Sequence, residues 1–244
     1  MPLNLEAFGL DPPRKYLGMS EIGMCPRKAA LRLRWAIKGS AKSGIPDPRP
    51  FTMLEQLRMS RGNYLEPLLV RAMEAYGYSV SHAGSDQMSL ELGDDLLKGH
   101  PDGVIYNPPD SPYNGWLLEI KCTAPYAWEK YTGADNLPEW WAMQAACYCE
   151  AAAAPGSLFC IFDTSTKTRK GGEDPIKLIP LPKSPALVKK SLDRASSIWD
   201  YVLGGKRLPA KDPRGPWECA GCLWKTTCKA KGGSGNGKSN DLDN

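Results

Sequence analysis

Glu119-Ile120-Lys121 is the only (Asp/Glu)-x-Lys triplet among the 244 residues of this chain, and it follows the apolar run Trp116-Leu117-Leu118. The pattern predicts a strand over Trp116–Lys121. Alternate side chains of a strand share a face, so Glu119 and Lys121 project together while Ile120 packs opposite. A charge pair in apolar surroundings costs free energy, which asks for a reason. Upstream, His100-Pro101-Asp102-Gly103 puts an acid at the entrance of another expected strand, Gly103–Tyr106, followed by a loop of Pro, Asn and Gly at Asn107–Gly115. If the two strands form a hairpin, Asp102 and Glu119 converge, and such a pair is expensive to ionise without a cation between. Mg²⁺ takes hard oxygen ligands and keeps several waters, so two acids and one backbone carbonyl, that of Ile120, make a sufficient site. The chemistry would be metal-assisted hydrolysis at a phosphate, with Lys121 stabilising the developing charge. The competing reading is a solvated pair beside a Pro-Asp turn.

A second group of residues could bind a different kind of centre. Cys219-x2-Cys222-x5-Cys228 stands near one end of the chain and a lone Cys25, in Cys25-Pro26-Arg27-Lys28, near the other. Four thiolates can hold zinc or an iron–sulfur cube, and ligand type alone does not choose between them. Joining Cys25 to Cys219 closes most of the chain into one loop, a constraint worth about 5 kcal/mol by analogy with disulfides. Free buried thiols are the alternative, but Cys222 and Cys228 lie in a short polar segment where apolar burial is poor. Cys122, Cys147, Cys149 and Cys160 fall in expected strands and helices and read as core packing.

The elements that must position these groups follow from periodicity and punctuation. Residues 1–18 read as an irregular lead-in. With Ser20 as a cap, a basic helix is expected over Pro26–Ile37, then a loop over Gly39–Pro50. Helical periodicity returns over Thr52–Tyr76, interrupted near Gly62 and Pro67. Short strands are expected at Tyr78–Ala83, Gln87–Leu92 and Leu96–Lys98, helices at Ala124–Thr132 and Leu137–Ala153, and strands at Leu158–Asp163 and Ile176–Leu181. Ser184-Pro185 opens a last amphipathic helix to Leu203, and residues 229–244 read as a disordered polar tail. This order predicts an α/β fold, a central mixed sheet flanked by helices, in one domain over 19–228.

Eight cysteines without an apolar signal core argue for a reducing, cytoplasmic setting, and no apolar run is long enough to span a bilayer. The net charge of +4 permits nucleic-acid binding without requiring it. Arg27, Lys28, Arg32 and Arg34, with Arg58, Arg61 and Arg71 on the next helix, read either as a backbone-binding channel or as solvated helix faces. Trp140 and Trp141 read as base-stacking groups or core.

Asp102 with Glu119-Ile120-Lys121 resembles the signature of the PD-(D/E)XK nuclease superfamily. Gln144 and Tyr148 resemble the Gln-x-x-x-Tyr motif of its RecB-like and phage-exonuclease branch, and their spacing puts both on one helix face. Without the upstream motif they read as an exposed amide and a core phenol. Glu66, in Arg61-Gly62-Asn63-Tyr64-Leu65-Glu66, resembles the first-helix acid of phage-type members; the local alternative is a capping box with Asn63 as N-cap. The four cysteines are arranged as in the iron–sulfur nucleases of this group, including AddB-type subunits and CRISPR-associated exonucleases. The resemblance covers Ser20 to Cys228 and implies a restriction-endonuclease-like core whose ends join at the cysteines. It implies a DNA exonuclease using Mg²⁺ or Mn²⁺ at Glu66, Asp102, Glu119 and the Ile120 carbonyl, with Lys121, Gln144 and Tyr148 serving substrate. It further implies a [4Fe–4S] cluster, or Zn²⁺, at Cys25, Cys219, Cys222 and Cys228. Single-stranded DNA or duplex ends would be the substrate, and recombination or CRISPR-associated proteins the partners. A nuclease-fold protein that binds nucleic acid without cutting, and a zinc-stabilised structural module, stay open beside it.

Overall fold

The apolar run Trp116-Leu117-Leu118 opens β5 (Trp116–Thr123), and Leu158-Phe159 with Ile161-Phe162 fill β6 (Gly156–Asp163); these two, the longest strands among the described residues, form the centre of the sheet. The computed structural model describes residues 14–48, 51–106, 113–132, 137–165 and 174–232. The sheet order is β1 (Ser79–Ser81), β4 (Gly103–Tyr106), β5, β6, β7 (Ile176–Pro182). Only β5 and β6 run parallel, and their crossover carries two helices, α3 (Pro125–Tyr131) and α4 (Glu139–Ala151). The other neighbours are antiparallel, so the sheet is mixed. A two-stranded ribbon, β2 (Leu90–Leu92) with β3 (Leu97–Gly99), stands apart from it.

Both faces of the sheet are covered, as a parallel pair at its centre demands. On one face Leu118, Ile120, Leu158 and Cys160 pack against Leu69 and Met73 of α2 (Met53–Ala75). The opposite face carries Leu117 and Val104 into a larger core with α4, α1 (Pro26–Ser43) and α5 (Pro185–Leu203). Residues Ala142 to Cys149 of α4 are buried without a break, because α5 covers the side of α4 that the sheet leaves free. No helix among the described residues is long and apolar enough to cross a membrane.

Several boundaries differ from the sequence expectation. Helix α1 does not end at Gly39: that residue takes φ 70°, a conformation open to glycine, and the chain turns back into helix until Ser43. Cys25, not Ser20, holds its N-cap position, and Ser20 belongs to a 3-10 turn at Met19–Glu21. Helix α2 runs unbroken through Gly62 and Pro67. Its N-terminus is fixed by a capping box between Thr52 and Glu55, whose Oε2 accepts the Thr52 N–H at 2.8 Å. The alternative capping box at Asn63 and Glu66 is therefore absent, since both lie in mid-helix where their amides are already paired.

The chain ends also belong to the fold more than expected. Leu17 is fully buried and its carbonyl accepts the N–H of Lys98 at 3.0 Å, so the described part of the lead-in joins β3. The cysteine segment forms two short helices, α6 (Pro216–Ala220) and α7 (Lys225–Gly232). Residues 1–13 and 233–244, which hold most of the expected lead-in and tail, lie outside the described residues, as does most of the loop after β4.

Candidate active site and cysteine cavity

The hairpin expected from sequence forms, with Gly103 opposite Leu118. Asp102 sits just before it, and its N–H reaches the Leu118 carbonyl at 3.1 Å. Two residues further along β5, the Ile120 N–H donates to Asp102 Oδ2 at 2.6 Å. The carboxylate is thus pinned beside the backbone that carries Glu119 and Lys121. Strand alternation puts those two on the same side, with Lys121 Nζ 2.8 Å from Glu119 Oε2. The ammonium also donates to Gln144 Oε1 at 3.2 Å, and Gln144 Nε2 donates to the Tyr148 hydroxyl at 3.4 Å. The four-residue spacing on α4 that suggested one face therefore delivers a continuous chain of contacts. Tyr148 can lie so close because β3 ends in Gly99, where a Cβ would meet its ring at 2.7 Å.

Glu66 reaches the same place from α2. It lines a cavity of about 490 Å³ with Asp102, Gln144 and Tyr148, and its carboxylate accepts from Gln87 Nε2 at 2.9 Å. Glu119 and Lys121 do not line that cavity; Glu119 is only 1% exposed.

The electrostatics are those of acids held too close together. Burial pushes Glu119 up to about 7 against the pull of Lys121, and Asp102 adds to the rise. Burial likewise raises Glu66 to about 7, helped by Asp102 and opposed by the Gln87 hydrogen bond. Asp102 is raised by burial against Lys121 and the Ile120 N–H. Burial works against the Lys121 ammonium, yet Glu119, Asp102 and Glu66 together outweigh it and raise its pKa. One ammonium is the shared counter-charge of three acids.

A divalent cation fits this donor set. Glu119 Oε1 is buried without a hydrogen-bond partner among the described residues, which is costly for a carboxylate oxygen. As the side chains stand, no group of three or more His, Cys, Asp or Glu among the described residues is gathered tightly enough to hold a metal ion. For Ile120, it is the amide rather than the carbonyl whose role is visible.

Some residues here carried no usable sequence signal. Gln87 was expected only as part of a strand; it lies in no strand, and its contact with Glu66 joins the segment before β2 to α2. His100 also lines the cavity, with Nδ1 3.1 Å from the Met88 carbonyl. Conversely, Arg27, Lys28, Arg32 and Arg34 of α1, which the sequence offered for a substrate channel, are tied up within the fold. Arg27 donates to the Pro209 carbonyl, Arg34 to that of Tyr201, Arg32 to Tyr16 and Glu21, and Lys28 pairs with Glu218. Arg58, Arg61 and Arg71 on α2 are exposed. Trp141 stacks on Phe159 at 6.2 Å and Trp140 faces Trp217 at 6.5 Å, so both have protein partners.

Away from this cavity, Cys25, Cys219, Cys222 and Cys228 line a separate one of about 80 Å³. Cys25 is buried and the other three are half-buried, and all carry free thiols. The four thiols border one small space without being gathered tightly enough to hold a metal ion as they stand; in donor type they suit a thiolate-bound centre. The remaining cysteines are different: burial pushes Cys147 and Cys149 up to about 11 and Cys160 to about 12, values of inert packed thiols.

No family model matches the sequence, and no curated protein does. Several solved structures share the fold. The crystal structure of SSO0001 aligns with 93% of this chain and 91% of its own, at TM-score 0.51 and 14% identity. The alkaline exonuclease of Laribacter hongkongensis aligns with 78% of this chain and 89% of its own, at TM-score 0.52 and 15% identity. Identities this low speak for a common fold, a mixed sheet flanked by helices.

Proposed function

We propose that this protein is a divalent-metal-dependent DNA exonuclease, hydrolysing phosphodiester bonds at single-stranded DNA or duplex ends in recombination, repair or CRISPR-type processing. The observation that carries the reading is the buried Glu119–Lys121 pair, with one carboxylate oxygen unpartnered and Asp102 pinned beside it. The likeness of fold to an alkaline exonuclease supports it. Glu66, Asp102, Glu119 and the Ile120 carbonyl would hold Mg²⁺ or Mn²⁺, which when bound supplies charge neutralisation at the phosphate and activation of water.

The chain's own residues supply the rest. Lys121 keeps its proton across the physiological range, because three acids hold it, and presents a fixed positive charge to the scissile phosphate. Gln144 restrains that ammonium through its amide oxygen and is itself tied to Tyr148. Burial holds the Tyr148 phenol protonated, so it serves as a hydrogen-bond donor and not as a base. Gln87 turns Glu66 toward the cavity. Cys25, Cys219, Cys222 and Cys228 would carry a [4Fe–4S] cluster, or Zn²⁺, as a staple on a single domain over 19–228.

Digestion of labelled single- and double-stranded DNA, with ends open or blocked, tests the reading. Cutting that requires Mg²⁺ or Mn²⁺ and an open end is expected, and wild-type protein that binds DNA without cutting it would sink the proposal. Iron and sulfide analysis of anaerobically purified protein separates the cluster from zinc.

A further inference from the structure

The cysteine segment is tied to the start of α1 by a group that is not a thiol. Glu218, next to Cys219 on α6, is only 4% exposed. Its Oε1 accepts the N–H of Cys25 at 3.4 Å and lies 3.6 Å from Lys28 Nζ. Its Oε2 accepts the N–H of Arg214 at 2.8 Å and lies 3.3 Å from Arg214 Nε. One carboxylate thus spans 193 positions of sequence. The Arg214 guanidinium in turn covers the rings of Trp217 at 4.9 Å and Trp140 at 5.5 Å, which carries the tie on to α4. Arg194 of α5 runs a parallel tie, donating to the carbonyls of Ile22 and Met24 and to Asp212.

A buried carboxylate is costly to place and survives only with partners of this quality. Those partners bear directly on the cavity. Fixing the Cys25 amide fixes the one cysteine that comes from the other end of the chain. Holding Lys28 keeps its ammonium near the Cys222 thiol, which burial raises and which the Trp224 backbone and Lys28 pull part of the way back. Lys28, Lys211, Lys225 and Lys229 all line the cavity. Four thiolates around a doubly charged centre leave a net negative charge, which that lining complements.

We infer that Glu218 is the positioning residue of the four-cysteine pocket: it sets Cys25 and Lys28 against Cys219, Cys222 and Cys228 before anything is bound. The pocket is then formed by folding and filled afterwards. This rests on the proposed metal or cluster site for the filling, though not for the latch itself.

The test uses the full chain, reduced and stripped with chelator, as wild type and as Glu218→Gln. In the stripped protein, hydrogen exchange at the Cys25 and Arg214 amides is expected to quicken about tenfold or more in the variant, the effect of losing a charged acceptor. Titration with Co²⁺ alone, read by thiolate-to-metal absorption, is expected to show an affinity lower by about tenfold. Exchange at Cys25 that equals wild type overturns the inference, whatever Co²⁺ does. A wild-type chain that gives no thiolate absorption with Co²⁺ refutes the metal reading and leaves exchange to decide the latch. Lys28→Gln leaves the buried carboxylate and its backbone bonds in place, so it keeps the question answerable if Glu218→Gln does not fold. Weaker Co²⁺ uptake is expected there, and uptake equal to wild type counts against the inference.

Discussion

Asp102 and Glu119 meet across two adjacent strands, whereas Cys25 meets Cys219, Cys222 and Cys228 across nearly the whole chain. The first group is an acidic pocket with one shared ammonium; the second is a thiol pocket lined by lysines. In the acidic pocket, strand and helix geometry sets the side chains, and the price is mutual repulsion among carboxyls. In the thiol pocket the donors come from separate short pieces, Cys25 from the N-cap of α1, Cys219 from α6, Cys228 from α7 and Cys222 between the last two, so a buried carboxylate and its basic partners hold two remote segments together. Local geometry can afford electrostatic strain because the backbone enforces it, while a contact between chain ends needs its own fastening.

Breaking one region should leave the other standing. The largest effect belongs to Cys25→Ala. Loss of the staple is expected to lower stability by about 5 kcal/mol and to release the thiol-bound group. Melting curves and metal analysis check it, and an unchanged melting temperature would mean that the thiols do not carry the join. Next come Glu119→Ala and Lys121→Ala, each expected to slow DNA cleavage about a thousandfold with the fold and the cysteine site intact. Single-turnover rates and circular dichroism together decide this.

A third comparison concerns pH in the metal-free chain. Glu119 and Glu66 stand near 7 in the folded protein and lower when unfolded, so the folded state binds more protons between these values. Stability should therefore fall as pH rises from about 5 to about 7, on the order of 2 kcal/mol. Mg²⁺ or Mn²⁺ should restore it at pH 8 and do little at pH 5; equal stabilisation at both would show that the ion does not bind these acids. The smallest effect is Gln87→Ala, which frees Glu66 to rise further. The Mg²⁺ concentration needed for cleavage should increase about tenfold, with the maximal rate nearly kept.

Much of this architecture is legible in residue pattern. Strand β4 falls where the apolar run Val104-Ile105-Tyr106 places it, and α5 starts at the Ser184 cap with Pro185 at its first position. The sharing of one face by Glu119 and Lys121, and by Gln144 and Tyr148, follows from periods of two and of four residues. Misplaced boundaries cluster where punctuation misleads. Gly39 bends α1 without ending it, and Pro67 forfeits one backbone bond that packing of Leu69 and Met73 makes tolerable. Asn63 and Glu66 have the spacing of a capping box, yet the helix begins a full ten residues before Asn63, at Met53.

By itself the sequence determined which side chains share a face, because that depends only on the rise and twist of the element they occupy. Tertiary structure alone decided that Gln87 meets Glu66, that the α1 arginines are consumed by backbone carbonyls, and that Glu218 lies under Cys25. These contacts join elements whose relative placement is set by the summed packing of the whole core, and no spacing along the chain encodes that sum.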